Sequence, residues 1–470
     1  MTKSEIADRV GKRKDESQQG DSPLWYPFTP MVTWRQESAP VIERGEGSYL
    51  IDTEGRRYLD GVSSLWVTLH GHNHPGINRA VTEQLARISH TTMLGLGNLP
   101  AGALAERLVE LAPRGLSRVF FSDNGSTAVE IALKLAYQYR QLSSDPAERK
   151  KKGFISFRNA YHGDTLGSVS VGGIDLFHGA FRDLVFPVEF AEYPYYYRYG
   201  GGRSCQVYLE HCLCSLEELL QQVAEKTCAL IIEPLVQGAG GMITAEPGFL
   251  AGVRTLCHRY RVHLIADEVA TGFGRTGRMF ACEHEEVGPD FLCLAKGLTG
   301  GYLPMAATLT TEEVYERFLG TAEKPVVFYH GHSFTGNPLA AAAALANLEI
   351  FDTERVLEHL QPKIELLQRA LHQEVAPLDI VGEVRQRGFM VGIELVADRQ
   401  SKKPFLPALK MGHRVTRQAR KRGVIIRPLG DVVVLMPHLS FSEEELTTLV
   451  RVTAESIAAA LAPEQVDDLK

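Results

Sequence analysis

The sequence lacks the features that mark several large classes of protein. Its 470 residues contain no run of about 18 apolar residues, the length a membrane-spanning helix needs. The first twenty residues are polar and charged, without the apolar core of a secretory signal peptide. Basic residues are not in excess, because 50 Lys and Arg against 57 Asp and Glu give a formal charge of −7. We therefore expect a cytoplasmic protein with neither a membrane nor a nucleic-acid partner.

Cysteine is scarce as well. Seven cysteines, an odd number without secretory context, favour reduced thiols over a disulfide framework. Cys205, Cys212 and Cys214 form the one cluster, but the pattern around them is helical. Residues two positions apart do not face each other on a helix. We therefore predict no metal site.

What is present is enough apolar sequence for a sizeable core, since 44% of the residues are hydrophobic and 23% charged. A polar arm at 1–22 and a β-rich segment at 23–74 precede a region, 75–350, in which short apolar runs alternate with helical patterns. An α+β tail fills 351–470. This alternation predicts an α/β fold with a mostly parallel sheet covered on both faces. The predicted strands are 118–123, 153–159, 229–234, 263–269 and 291–297.

Two of these strands end in residues that suit cofactor chemistry. Asp267 ends one apolar run and Lys296 ends the next, and ligands of such sheets gather at the carboxyl ends of the strands. A lysine can form a Schiff base with pyridoxal phosphate (PLP), and a carboxylate can pair with its pyridinium nitrogen. Taken singly, a lysine is usually a solvated charge and a strand-end aspartate a turn residue or helix cap.

A helix predicted at 126–141 has an apolar stripe formed by Val129, Ala132, Leu133, Ala136 and Tyr137. Its start follows the strand 118–123 directly. Helix N-termini bind phosphate, so Gly125 and Ser126 are candidates for that role, with an ordinary N-cap as the alternative.

Two further motifs have competing interpretations. Tyr161 follows the strand 153–159 and could stack on a flat cofactor ring or be an ordinary core tyrosine. Residues 272–277 fit G-x-G-x-x-G, the dinucleotide fingerprint. No amphipathic helix opens at these glycines, although the fingerprint requires one. A nicotinamide dehydrogenase is therefore disfavoured.

Together these residues resemble a known family. The run Asp267-Glu268-Val269 with TGFGRTG, followed by Lys296-Gly297 with LTGGYLP, resembles the class III PLP-dependent aminotransferases of fold type I, over about residues 24–460. The resemblance implies a large domain with a mostly parallel, seven-stranded-type sheet and a small α+β domain made from both chain ends. It also implies a homodimer with shared active sites. Within the family, the likeness is strongest to members that convert 8-amino-7-oxononanoate to 7,8-diaminononanoate in biotin biosynthesis.

The resemblance also implies roles for matching residues. Lys296 would hold the cofactor and carry the proton, with Asp267 on the pyridinium nitrogen. Further cofactor contacts would come from Gly125, Ser126, Tyr161, His162, Glu233 and Val269 and, across a dimer interface, from His332 and Ser333. The substrate site would comprise Phe28, Trp66, Tyr161, Gly331 and Arg427. The guanidinium of Arg427 would bind the substrate carboxylate.

The sequence departs from this pattern where the amino donor would bind. Members that use S-adenosylmethionine usually have two adjacent tryptophans where this chain has Leu65-Trp66, a tyrosine in place of Phe28, and Pro-Thr in place of His332-Ser333. Losing an aromatic face and a phenol weakens the case for a sulfonium donor. The hypothesis is therefore L-lysine as donor, with S-adenosylmethionine as the alternative.

Two more activities are compatible with the sequence. One is that of a class III ω-aminotransferase acting on a diamine or β-amino acid, and the second is that of a PLP-dependent mutase or racemase of the same fold. The Tyr-rich tract 193–199 is open too, either as a lip of the substrate tunnel or as a surface excursion held by aromatic packing.

Overall fold

The structure, a computed structural model, describes residues 23–34 and 39–462. The arm predicted at 1–22 lies outside the described residues. The strands are β1 Ile42–Glu46, β2 Tyr49–Asp52, β3 Arg57–Asp60, β4 Leu116–Ser122, β5 Gly153–Phe157, β6 Glu189–Ala191, β7 Thr227–Ile232, β8 Val236–Gln237, β9 Ile243–Thr244, β10 His263–Asp267, β11 Phe291–Leu294, β12 Ala306–Thr311, β13 Val381–Arg387, β14 Met390–Leu395, β15 Val424–Ile425, β16 Arg427–Leu429 and β17 Val432–Leu435.

Helices of eight residues or more are α1 Pro75–Arg87, α2 Leu99–Leu111, α3 Gly125–Gln141, α4 Cys205–Val223, α5 Phe249–Arg259, α6 Pro338–Thr353, α7 Val356–Ala370, α8 Met411–Lys421 and α9 Glu443–Ala459. Shorter helical segments lie at Met31–Trp34, Leu166–Ser170, Asp175–His178, Tyr196–Tyr199 and Glu312–Glu316. Ser63–Trp66 is a turn with non-helical backbone angles at Ser64 and Leu65.

A seven-stranded sheet forms the centre of the large region, in the order β4-β12-β11-β10-β7-β5-β6. Its strands run parallel apart from β12, which pairs antiparallel with β4 and β11. The five predicted strands are present as β4, β5, β7, β10 and β11, so the predicted α/β class is confirmed. β6 and β12 are not among the predicted strands. β6 has three residues, and the AATLTT of β12 combines small side chains with threonines, which gives a weak apolar signal.

Helix α3 packs on this sheet and begins where β4 ends. Its apolar stripe is as predicted for Val129, Ala132, Leu133 and Ala136, which are buried. Tyr137 is the exception at 38% exposed, and Tyr139 is buried instead. The helix is covered on more than one side, so the buried face is wider than the predicted stripe.

Two smaller sheets bring distant parts of the chain together. One has the order β1-β2-β3-β15, and β15, from residues 424–425, runs parallel to β3 with Val424 opposite Leu59. The second is the antiparallel sheet β13-β14-β17-β16. Strands from both chain ends thus share one sheet, as the resemblance implies for the small domain. The predicted domain limits themselves stay a prediction.

The glycine-rich segment 272–277 forms a run of turns that leads to a short 3-10 helix at Ala281–Glu285. The long helix that a dinucleotide fingerprint needs does not follow it. In the part of the chain that the structure describes, no helix combines the length and apolarity needed to cross a bilayer.

Candidate active site

A cavity of about 570 Å³ opens at the carboxyl ends of the central strands. Most of the predicted site residues line it, although they come from segments spread across four hundred positions of the sequence. These are Phe28, Trp66, Gly125, Ser126, Tyr161, His162, Glu233, Asp267, Val269, Lys296 and Arg427. Gly331, His332 and Ser333 are not among the lining residues of this chain's cavity.

Lys296 follows β11 after one intervening residue, Ala295, with its backbone in the left-handed region at φ 32°. Burial lowers the pKa of Lys296 from its ordinary value, although Asp267 and Glu233 act in the opposite direction. The Nζ atom lies 5.5 Å from the ring centroid of Trp66. A lowered pKa increases the fraction of neutral amine, the form that nucleophilic and base chemistry need.

Asp267, the last residue of β10, is buried at 4% exposure, and each of its two carboxylate oxygens has a polar contact. Its Oδ2 lies 2.7 Å from His162 Nδ1, and its Oδ1 accepts the backbone N–H of Val269 at 3.0 Å. The second ring nitrogen of His162 is buried and has no hydrogen-bond partner in the described chain. Asp267 is thus a fixed carboxylate that faces the cavity.

The N-terminus of α3 presents backbone donors to the same cavity. The Asn124 side chain caps the helix by accepting the N–H of Thr127 at 3.0 Å. The first N–H groups of a helix have no partner within it, and both Gly125 and Ser126 line the cavity. A Cβ at Gly125 would lie 2.7 Å from Val269 Cγ1, so a glycine is needed there.

Tyr161 is held between two carboxylates. Glu233 accepts its backbone N–H at 3.0 Å and that of Gly238 at 2.9 Å, so one side chain ties two loops together. Burial raises the pKa of Glu233 to about 7. The Tyr161 hydroxyl donates to Asp164 at 2.8 Å, and burial raises its pKa, so the phenol stays protonated.

Arg427 begins β16 and faces the cavity without an ion-pair partner among residues 23–34 and 39–462. Desolvation is the sole cause of the lowering of its pKa, which means that no carboxylate stabilises its charge. A partly buried guanidinium without a carboxylate partner is suited to pair with an anionic group.

Phe177 lines the cavity, and the sequence analysis missed it. It makes edge contacts with Phe28 at 5.7 Å and Tyr161 at 5.9 Å between ring centroids. It lies in the short segment Asp175–His178, which follows no predicted strand. Site residues were predicted at the ends of strands, and Phe177 lies at none of these, so no local sequence signal marks it.

The segment that carries His332 and Ser333 lies at the surface. Gly331 and Ser333 are exposed, as are the neighbouring large side chains Tyr329 at 84% and Phe334 at 61%. The roles predicted for His332 and Ser333 across a dimer interface stay a prediction, as does the role of Gly331 in the substrate site.

The Tyr-rich tract 193–199 packs against β14 and lies away from the cavity lining. Tyr195 and Arg198 both donate hydrogen bonds to Glu394, and Tyr193 is buried at 3% exposure. This favours the second interpretation, a surface excursion held by packing.

Lys296, Asp267 and the amides of α3 together fit PLP, because they offer an amine, a carboxylate and phosphate donors around one cavity. The model of the family described as aminotransferase class III matches residues 32–457. The chain belongs to the class III aminotransferases. This confirms the predicted fold class and the prediction of a PLP-dependent transaminase.

Relatives of this aminotransferase agree with that placement. An adenosylmethionine-8-amino-7-oxononanoate aminotransferase of Nitratidesulfovibrio vulgaris is 52% identical over 93% of this chain and 80% of the relative. The crystal structure of the protein of that name from Methanocaldococcus jannaschii is 44% identical, with a TM-score of 0.88 over 98% of this chain and 100% of that one. A PLP-bound amine transaminase from an uncultivated Pseudomonas species is 36% identical, with a TM-score of 0.87 over 94% and 99% of the two chains.

Proposed function

We propose that this aminotransferase moves an amino group to 8-amino-7-oxononanoate and so forms 7,8-diaminononanoate for biotin synthesis. The observation that carries the proposal is the unpaired Arg427 in the same apolar-walled cavity as Lys296. A long aliphatic keto acid would place its carboxylate on the guanidinium, its chain along Trp66 and Phe177, and its keto group near the amine. The names of the N. vulgaris and M. jannaschii relatives support this choice.

Each residue has a task in this proposal. PLP, when bound, supplies the electron-accepting ring that makes the carbon–hydrogen bond of the amino donor acidic. Lys296 would hold the cofactor and then move a proton at Nζ, whose pKa is lowered by burial. Asp267 would keep a proton on the ring nitrogen, and its contact with His162 holds that carboxylate in place. The backbone N–H groups of Gly125 and Ser126 would donate to the phosphate.

We propose L-lysine as the amino donor. The cavity wall is aliphatic at Leu65 and lacks a phenol at Phe28, which removes two groups that could face an adenosyl sulfonium. S-adenosylmethionine, which the relatives' names contain, is the competing donor.

An assay with 8-amino-7-oxononanoate and each donor offered separately tests both parts. The expected result is diaminononanoate with lysine. Formation of diaminononanoate with S-adenosylmethionine but not with lysine would refute the proposal that lysine is the amino donor. A panel of keto acids and uncharged ketones gives the second comparison. If acceptors that lack a carboxylate are turned over as fast as 8-amino-7-oxononanoate, the proposed substrate is wrong and a general amine transaminase is favoured.

We also propose a homodimer with shared active sites and a cytoplasmic location. The exposed segment with His332 and Ser333, flanked by exposed Tyr329 and Phe334, supports the dimer, because a second copy could bring these residues to the phosphate site. Seven free cysteines support a reducing compartment.

A further inference from the structure

Three titratable side chains, Asp60, His72 and His438, form a cluster beside the cavity that the proposed reaction does not use. Both imidazoles point their Nε2 atoms at Asp60 Oδ2, at 3.0 Å for His72 and 3.4 Å for His438. Asp60 and His438 are fully buried. Burial alone would raise the pKa of Asp60, but the hydrogen bonds from His438 and His72 outweigh it and lower the pKa. Asp60 is therefore a buried negative charge.

The same carboxylate holds the start of a turn. Asp60 Oδ2 accepts the N–H of Ser64 at 2.7 Å, and Oδ1 accepts that of Val62 at 3.3 Å. The turn is strained, because Ser63, Ser64 and Trp66 have φ values of 50°, 62° and 65°. Positive φ values cost conformational energy for residues other than glycine, and they persist where the surrounding structure fixes the backbone.

The turn ends on Trp66, which lines the cavity. Its indole is buried at 6% exposure and lies 5.5 Å from Lys296 Nζ. A second anchor of the turn is the Ser63 hydroxyl, which donates to the carbonyl of Met436 at 2.7 Å. Asp60 is thus connected to the cavity wall through a short stretch of strained backbone.

We propose that the Asp60–His72–His438 cluster is a positioning device that holds the Ser63–Trp66 turn and keeps the indole of Trp66 against Lys296. Asp60 acts through Trp66 and touches neither substrate nor cofactor. The effect on turnover rests on the proposed function, whereas the position of the indole does not.

The same three side chains have the ligand types of a divalent-cation site, and their ligand atoms all lie within 4.8 Å of one another. Ligation through Nε2 would put the His438 proton on Nδ1, which is buried and has no hydrogen-bond partner in the described chain. Metal-bound histidines normally donate that second N–H to a partner. With Nε2–H donating to Asp60, Nδ1 carries a lone pair instead and no donor is left unpaired. The hydrogen-bonded arrangement is therefore preferred.

Fluorine NMR of the full-length holoenzyme labelled with 5-fluorotryptophan tests the positioning role. The chain has three tryptophans, at 25, 34 and 66, and Trp66→Phe assigns the resonance of interest. Asp60→Asn should shift or split the Trp66 resonance and make it sensitive to solvent exchange from H₂O to D₂O, while the resonances of Trp25 and Trp34 stay unchanged. It should also lower kcat/KM on the order of 10- to 100-fold, through misplacement of the cavity wall.

Asp52→Asn is the matched control. Asp52 is also buried, at 1% exposure, and accepts hydrogen bonds from the Arg56 and Tyr58 side chains in the same small sheet, but it does not hold the turn. It should leave the Trp66 resonance unchanged. An equal change in both variants would mean that any buried charge lost from this sheet disturbs Trp66, and would overturn the proposal.

A rescue separates positioning from general stability. Ser64 is exposed, and glycine adopts φ 62° without strain, so adding Ser64→Gly to Asp60→Asn should restore part of the Trp66 resonance position and of kcat/KM. If Asp60→Asn does not fold, His72→Ala, at the more accessible edge of the cluster, should give a smaller change of the same kind. An unshifted Trp66 resonance in whichever variant folds would overturn the proposal. If Asp60→Asn shifts the Trp66 resonance but the wild-type enzyme does not act on 8-amino-7-oxononanoate, the proposed function is refuted and the positioning role stands.

Discussion

At the scale of single residues, the site depends on a lysine and a guanidinium with different tasks. Lys296 lies where burial lowers its pKa, and Arg427 lies where no carboxylate pairs with it. Burying an ionisable group without a counter-charge costs folding free energy, and binding of a cofactor or substrate compensates for that cost.

Lys296→Ala should lower amino transfer by roughly a thousand-fold or more, because the base that moves the proton is lost. Lys151→Ala is the matched control, since Lys151 is also buried but donates to the carbonyl of Arg261, away from the cavity. Single-turnover rates and circular dichroism of both variants give the comparison. Transfer at the wild-type rate by Lys296→Ala would refute its role.

Arg427→Ala should raise the KM for 8-amino-7-oxononanoate by roughly 10- to 100-fold, the value of a hydrogen bond to a charged group. An acceptor without a carboxylate should show little change in KM, because it makes no contact with the guanidinium. The two KM values measured side by side provide the test. A matching increase for both acceptors would indicate a structural role instead.

At the scale of elements, the sheet brings the site together. Asp267 and Lys296 were predictable because each directly follows an apolar run that forms a strand of the parallel sheet. The position of β12 between β4 and β11 was not predictable from the sequence, since strand order depends on packing between distant segments. Phe177 was missed for the same reason, because its contact with Phe28 joins segments with no shared local pattern.

The start of α3 gives the prediction at this scale. Gly125→Ala should weaken PLP binding, because the new Cβ would lie 2.7 Å from Val269 Cγ1. Relief of this clash would displace the N-terminus of α3 from the phosphate. Gly102→Ala in α2, where a Cβ meets nothing within 4 Å, should instead raise the free energy of unfolding by about 0.5–1 kcal/mol. Cofactor titration and thermal unfolding of both variants distinguish the two effects. Unchanged PLP affinity in Gly125→Ala would contradict the phosphate assignment.

At the scale of the whole molecule, the cavity of one chain is not lined by every predicted site residue. Gly331, His332 and Ser333 lie outside the lining of the cavity, on an exposed segment. The resemblance predicts that His332 and Ser333 act across a dimer interface, and that prediction needs a second copy of the chain to be tested.

Subunit complementation tests the shared site. Ser333→Asp should be inactive because its charge repels the phosphate, and Lys296→Ala is inactive for its own reason. Refolding the two together should restore activity, since a mixed dimer has one site with both native residues. A mixture that stays inactive, although sedimentation shows mixed dimers, would contradict shared sites.

Every other role proposed at the site depends on Lys296 being the residue that holds PLP in this cavity. Reduction of the purified holoenzyme with borohydride, followed by peptide mass spectrometry, is the decisive measurement. We expect a pyridoxyl-phosphate mass on the peptide that contains Lys296 and on no other lysine. The label on a different lysine, or no label on an enzyme that still transfers amino groups, would contradict it.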